Sequence, residues 1–210
     1  MNIDKRLIAL TFDDGPAETT KAIVDTLKKH NAKATFFVNG SCLIKYPLLT
    51  KYAFDIGCQI GNHTENHKNL TELSYQQIIE EINSTTVKIK AITGINPIIM
   101  RPPFGYYNDN VKKAAQVCKL PLINWNIDPN DWYSDEASTT RKRILAELDD
   151  GTVILCHDRM VSTSELMVDF IRELIENEYM LVTVSELFRI KKKHLESGVV
   201  YFGLTAELDK

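Results

Sequence analysis

Apolar, β-branched runs alternate along this chain with segments of helical period. The runs are Leu7–Phe12, Ala34–Val38, Gln59–Gly61, Ile98–Arg101, Leu120–Asn124, Val153–Cys156 and Leu181–Val184. Most are apolar throughout, the pattern of parallel strands covered on both faces. Between them, Thr19–His30 places Ala22, Ile23 and Leu27 on one helical face. Pro47–Phe54, Asp109–Cys118, Ser138–Leu148 and Ser164–Glu178 predict further helices, and Ser185–Ile190 a short last one. Ser74–Thr93 predicts the longest helix: Ser74 and Gln77 stand at capping-box spacing and Gly94 supplies the stop.

Repeated βα units with right-handed crossovers close into a barrel or open into a doubly wound sheet. No G-x-G-x-x-G or P-loop follows the first run, which removes the usual reason for a nucleotide-binding sheet. Polar residues follow nearly every run, as in a barrel whose active site is built from the strand ends. No linker, internal repeat or low-complexity segment interrupts the pattern, so residues 1–210 are read as one domain. The tail after Leu187 contains Lys191–Lys193 and is read as a solvated basic turn.

Composition narrows the function classes. Hydrophobic residues make up 44% and charged residues 25%, ordinary values for a globular chain with a real core. The net charge of −3 provides no basic excess to drive binding to nucleic acid. No apolar run approaches the roughly 20 residues of a membrane span. Leu7–Phe12 is too short for the core of an export signal, so none is expected in the chain as it stands. Cys42, Cys58, Cys118 and Cys156 form no C-x-x-C pair and are read as free thiols.

The candidate chemistry sits where the runs end. Thr11-Phe12-Asp13-Asp14-Gly15-Pro16 concentrates two carboxylates in a sharp turn, which a solvated surface turn would also explain. His63-Thr64-Glu65-Asn66-His67 brings two imidazoles onto one helical face or into one tight turn. With one carboxylate they make three protein ligands and leave a fourth position open, as in a catalytic zinc site. The alternative is two surface histidines. Arg101-Pro102-Pro103-Phe104-Gly105 forms a rigid turn headed by an arginine, which needs a partner if buried. A carboxylate of the first strand end is its natural partner, a solvated loop the alternative. Asp128-Pro129-Asn130-Asp131-Trp132 adds carboxylates and an aromatic surface suited to stacking a sugar ring. Leu155-Cys156-His157-Asp158 ends the sixth run with an imidazole able to transfer protons near neutral pH.

Together and in this order, these motifs resemble the polysaccharide deacetylases of the NodB-homology type, carbohydrate esterase family four. T-F-D-D-G-P, H-[ST]-x-x-H, R-x-P-[FY]-G, D-x-x-D-W and L-x-H all occur without departure between Leu7 and about Leu187. Thr183-Val184-Ser185-Glu186-Leu187 is similar to the closing strand and helix of the family. The resemblance implies a distorted (β/α)7 barrel. It implies a metal held by Asp14, His63 and His67, with Asp13 as general base and Arg101 orienting it. It further implies His157 as general acid held by Asp131, with Leu155 against the acetyl methyl, Phe104 N–H at the oxyanion and Trp132 flanking the groove. A cation beside the base and a carboxylate beside the acid would push the two groups in opposite directions and give a bell-shaped pH–rate profile. The cofactor implied is one divalent metal, zinc first, with cobalt, manganese or nickel also suiting the donor set. The substrate implied is a β-1,4-linked N-acetylglucosamine polymer of peptidoglycan or chitin type, acted on by a monomer outside the cell or at its wall. Acetylxylan, small cyclic amides or imides, or plain sugar binding without turnover are the alternatives.

Overall fold

The protein is described by a computed structural model covering residues 6–131 and 137–207. Strand β1 (Arg6–Asp13) lies at the centre of a parallel sheet with β2 (Thr35–Val38), β3 (Gln59–Asn62) and β5 (Thr152–His157) in the order β3-β2-β1-β5. Strand β6 (Tyr179–Leu181) pairs with the first residues of β1, below the point where β2 joins the same edge. Helices α1 (Thr20–Lys29), α3 (Pro47–Asp55), α4 (Tyr75–Thr93), α5 (Asp109–Val117), α6 (Ala137–Glu147), α7 (Val161–Glu176) and α8 (Val184–Ile190) intervene. A single turn, α2 (Gly40–Leu43), follows β2.

The sheet curls round and closes. Single parallel bridges carry the ladder from Asn62 to Met100 and from Met100 to Leu122 in β4 (Leu122–Ile123). The same segment then bends, and Ile127 bridges to Ile154 of β5. The result is a distorted (β/α)7 barrel, as expected. Ile98–Arg101, expected as a strand, contributes one bridge residue, and Leu120–Asn124 shrinks to two paired residues. The reason is local: Pro97, Pro102 and Pro103 flank the first run, Pro121 interrupts the second, and none can donate to a ladder.

Side-chain alternation along the strands sorts the core and places the site. On β1, Ile8, Leu10 and Phe12 pack outward with Ile23, Leu27 and Phe170 of the surrounding helices. Leu7 and Ala9 pack inward with Phe37, Val153 and Leu187. The inward face continues to Thr11 and Asp13. Burial on both faces explains why β1 reads as one apolar run. Helix α4 carries the expected cap: Ser74 accepts from Gln77 N, and the Gln77 side chain accepts from Ser74 N at 2.9 Å. All four cysteines are free.

The chain's end departs from expectation. Lys192 and Lys193 are exposed, but the tail then re-enters the fold as β7 (Val200–Phe202) and β8 (Thr205–Ala206). Strand β7 pairs in parallel with β4, and Val200 and Tyr201 are buried. The run Val199–Phe202, bounded by Gly198 and Gly203, was the signal in the sequence for this strand, and it was missed.

Candidate active site

Adjacent residues of a strand point to opposite faces, so Asp13 and Asp14 could not both face one cavity on a regular strand. The backbone solves this by ending β1 with Asp14 at φ +70°. That left-handed residue turns the second carboxylate back beside the first. Both line a cavity of about 430 Å³ at the carboxyl ends of the strands. His63, His67, Phe104, Leu155 and His157 line it too, as do Trp125 and Arg159.

Asp13 is held from inside the barrel. Arg101 is fully buried, and its Nη1 donates to Asp13 Oδ1 at 2.8 Å and to Thr11 Oγ1 at 2.7 Å. Its Nε donates to Ile123 O at 2.8 Å, and the guanidinium lies over the Phe37 ring at 4.2 Å. The expected partnership of Arg101 with a carboxylate of the first strand is therefore present, and the solvated-loop alternative is not.

The histidine motif is a tight turn, not a helix. Asn62 braces it: its side chain accepts from Thr64 N at 2.8 Å and donates to Ile82 O on α4 at 2.8 Å. Thr64 and His67 take left-handed φ values of 66° and 52°. His63 Nδ1 donates to Arg101 O at 2.8 Å, which turns Nε2 toward Asp14. That nitrogen lies 3.5 Å from Asp14 Oδ1, and His67 Nε2 lies 3.1 Å from the same oxygen. Asp14 Oδ1 is buried and has no hydrogen-bond partner.

One carboxylate oxygen and two imidazole nitrogens thus converge within 4.8 Å of one another. This donor set fits a divalent cation. Burial opposes ionisation of Asp14, but the His63 contact and the charges of His63, His67 and Arg159 outweigh it and hold the carboxyl below its usual range. Burial and the charge of His63 push His67 down, toward the neutral form that ligates.

The opposite wall carries the second histidine system. Asp131 is buried and grips His157 twice, through Nδ1 at 2.8 Å and through the backbone N–H at 2.8 Å. Thr163 Oγ1 donates to Asp131 at 2.6 Å and fixes the carboxylate in turn. Burial alone would lower the His157 pKa; the hydrogen bond and charge of Asp131 reverse this and raise it.

The arginine turn forms the rim. Phe104 has φ +61°, and Gly105 N–H and Tyr106 N–H are engaged inside the turn by Pro102 O and Pro103 O. Gly105, at φ +69°, has no room for a Cβ, which would stand 2.9 Å from Trp125. The Phe104 ring meets His67 edge-on at 4.6 Å.

Trp132, the expected groove aromatic, lies outside the described residues. Trp125 lines the cavity instead; its place just beyond the β4 run was the available signal. Arg159 was also missed. Its Nε lies 3.1 Å from Asp14 Oδ2, two residues past the strand-end His157. Among the described residues no helix is long and apolar enough to cross a membrane.

Comparison with known proteins agrees with this geometry. The profile of a family described as polysaccharide deacetylase matches residues 1–123. The chain is 40% identical over 199 residues to the peptidoglycan-N-acetylglucosamine deacetylase PgdA of Listeria monocytogenes, covering 94% of this chain and 41% of that protein. It is 38% identical over 191 residues to the peptidoglycan-N-acetylmuramic acid deacetylase PdaC of Bacillus subtilis, covering 90% and 40%. The chain therefore spans about two fifths of the length of both curated relatives. The solved family 4 acetyl xylan esterase from Clostridium thermocellum, in complex with a cobalt ion, superposes with a TM-score of 0.87 at 29% identity, covering 95% of this chain and 99% of that one.

Proposed function

The chain belongs to the polysaccharide deacetylase family, and from that premise we propose that it is a metal-dependent hydrolase that removes N-acetyl groups from β-1,4-linked N-acetylglucosamine polymers. The observation that carries this reading is the convergence of three systems on one cavity: Asp14–His63–His67, Asp13–Arg101 and His157–Asp131. A sugar-binding module needs neither a braced base nor a braced acid.

Each residue has a task. Asp14, His63 and His67 hold the divalent cation, for which zinc is the first assignment and cobalt, manganese or nickel the competitors. Bound there, the cation supplies Lewis acidity that polarises the acetyl carbonyl and makes water nucleophilic near neutral pH. Asp13, held by Arg101 through Oδ1, accepts the proton of the attacking water on Oδ2. The oxyanion is taken by Phe104 N–H, a donor of the kind worth about 3 kcal/mol in other enzymes. Cationic His157, held through Nδ1 by Asp131, gives its Nε2 proton to the departing nitrogen as the C–N bond breaks, releasing acetate and an amine. Leu155, on the cavity wall, receives the acetyl methyl. We extend the reading to one domain acting as a monomer on an acetylated glycan, without nucleic acid.

The test is acetate and ammonia release from N-acetylglucosamine oligomers, acetylxylan and small cyclic amides, with each metal reconstituted in turn. Acetate from the oligomers at the highest kcat/KM supports the proposal. A preference for acetylxylan makes the protein an esterase like its Clostridium neighbour, and stoichiometric metal without any turnover makes it a binding module.

A further inference from the structure

We propose that Glu65 and Lys88 are positioning residues for the metal centre: their ion pair, seated against Gly40, sets the spacing between the turn that carries Asp14 and the turn that carries His63 and His67. The inference rests on the metal-dependent reading and deepens it. The three donors come from two separate turns, and one short segment, residues 39–42 at the opening of α2, touches both. Toward the first turn, Asn39 N donates to Gly15 O at 3.0 Å, and Asn39 Nδ2 and Cys42 Sγ donate to Asp14 O at 3.5 and 3.6 Å. Toward the second, Gly40 N donates to Thr64 O and Ser41 N to Glu65 O, each at 3.0 Å. The segment is therefore the bridge across which Asp14 and the two histidines keep their distance.

Lys88, on α4, fastens that bridge to the histidine turn. Its Nζ pairs with Glu65 Oε1 and donates to Gly40 O at 3.3 Å, so one ammonium holds a side chain of the turn and the backbone of the bridge together. Thr85 Oγ1, also on α4, donates to Glu65 Oε2 at 3.3 Å. A Cβ on Gly40 would collide with Glu65 Oε2 and Thr85 Oγ1, so the carboxylate packs directly on the bridge. The pair is largely shielded, with 17% of the Glu65 and 30% of the Lys88 side chain exposed, and such pairs are screened less than surface ones. The turn needs this support. Glu65 stands between Thr64 and His67, whose left-handed φ values of 66° and 52° are costly for residues with a Cβ. Glu81 accepts from Asn66 N and Nδ2 at 2.8 Å, but that tie joins the turn to α4 and not to the bridge. Neither member of the pair is a ligand: Glu65 fills a free position of H-[ST]-x-x-H, and Lys88 lies outside the motif. Donors held at their bound spacing spare the cation the cost of ordering them, and supporting contacts of this kind are worth about 10–100-fold in metal affinity.

The probes are zinc and cobalt alone. Zinc dissociation constants are measured by chelator competition for wild type, Glu65→Gln, Lys88→Met and the double variant. Absorption spectra of the cobalt-loaded proteins and the Tm of each metal-free protein accompany them. Glu65→Gln is nearly isosteric and keeps the test open even where Lys88→Met folds poorly. Each single variant should bind zinc at least tenfold more weakly than wild type. The double variant should lie within about threefold of the weaker single, because both changes remove one shared contact. The cobalt bands of the single variants should change in position or intensity, since the two turns no longer meet the metal at the same spacing. Metal-free Tm should fall by no more than about 4 °C, the scale of one partly exposed ion pair. Zinc affinity within threefold of wild type in both single variants overturns the proposal, and with a lowered Tm it assigns the pair to folding alone. So does a double variant whose loss is the product of the two single losses, or an unchanged cobalt spectrum. A wild type that takes up neither metal overturns the metal reading and the proposal together; equal affinities in all four proteins overturn the proposal alone.

Discussion

Arg101 Nη1 donates to Asp13 Oδ1 at 2.8 Å from a guanidinium with no exposed surface. Two charges removed from water are tolerated because each satisfies the other, and because Thr11, Ile123 and Asn124 accept the remaining N–H groups. Removing one partner strands the other. Arg101→Met should therefore cost about 3–5 kcal/mol of stability. At this chain length that is a fall in Tm of roughly 10 °C, at about 2–4 °C per kcal/mol. Thermal denaturation checks it; a Tm within 2 °C of wild type would show that the pair is not a buried ion pair in solution.

The division of labour between Asp13 and Asp14 gives a paired prediction. His63→Ala removes one of three converging donors, so metal content and turnover should fall together. Asp13→Asn leaves Asp14, His63 and His67 in place. Metal should remain bound while kcat drops at least 100-fold, within the range for loss of a general base. Metal analysis and steady-state kinetics on the two variants separate the roles. Metal loss from Asp13→Asn would exchange the assignments of the two carboxylates.

The grouping of these residues was legible because each motif ends an apolar run, and strand ends are where a barrel gathers its chemistry. Asp13, His63, Arg101 and His157 were all placed this way; the structure brings Asp13, His63 and His157 to one cavity, with Arg101 buried behind Asp13. The period-two rule did not reveal that Asp14 faces the same way as Asp13. That depends on a positive φ at Asp14, which an aspartate adopts without marking it in the residue pattern. The bridge at Met100 was obscured for a different reason. Its pairing partners are distant in sequence, and a one-residue ladder leaves no periodicity. Arg159 was hidden because its role depends on reaching Asp14, about 145 positions earlier, and not on its neighbours.

The His157–Asp131 pair predicts a shift in pH dependence. Asp131 raises the His157 pKa, so the protonated acid persists to higher pH than an ordinary histidine would allow. Asp131→Asn removes the charge and keeps an acceptor. The alkaline limb of kcat/KM should move to lower pH, with a lower plateau from looser positioning of the ring. The linked stability effect has a definite sign. A histidine with a raised folded pKa stabilises the fold below its ordinary value and loses that contribution as pH rises through the folded one. The wild-type advantage over Asp131→Asn in chemical denaturation should therefore shrink as pH rises past the ordinary histidine pKa of 6.5. An unchanged alkaline limb would dissociate Asp131 from the acid.

Asp158 offers a separate test beneath the site. It is buried, and burial with the charges of Asp14 and Asp13 lifts its pKa to about 7, against a hydrogen bond from Thr20 Oγ1 at 2.5 Å. Its carboxyl packs on Gly15, where a Cβ would meet Oδ2 at 2.2 Å. Thr19 Oγ1 donates to Asp158 O at 2.5 Å, and Ser164 Oγ donates to Thr19 O, tying the carboxylate-bearing turn to the strand end that carries His157. The folded protein binds the Asp158 proton more tightly than the unfolded chain, so stability should decline from about pH 4 to pH 7 and level off above. Asp158→Asn is neutral at every pH and should flatten that decline, most visibly as a gain relative to wild type at pH 8. Gly15→Ala collides with the carboxyl and should lose at least 1 kcal/mol, as expected for overpacking a closed site. The double variant Gly15→Ala, Asp158→Ala should recover part of the loss. Urea denaturation of wild type, Asp158→Asn, Asp158→Ala, Gly15→Ala and the double variant from pH 5 to pH 8 decides both points: an undiminished slope in Asp158→Asn removes the titration, and strict additivity in the double variant removes the contact.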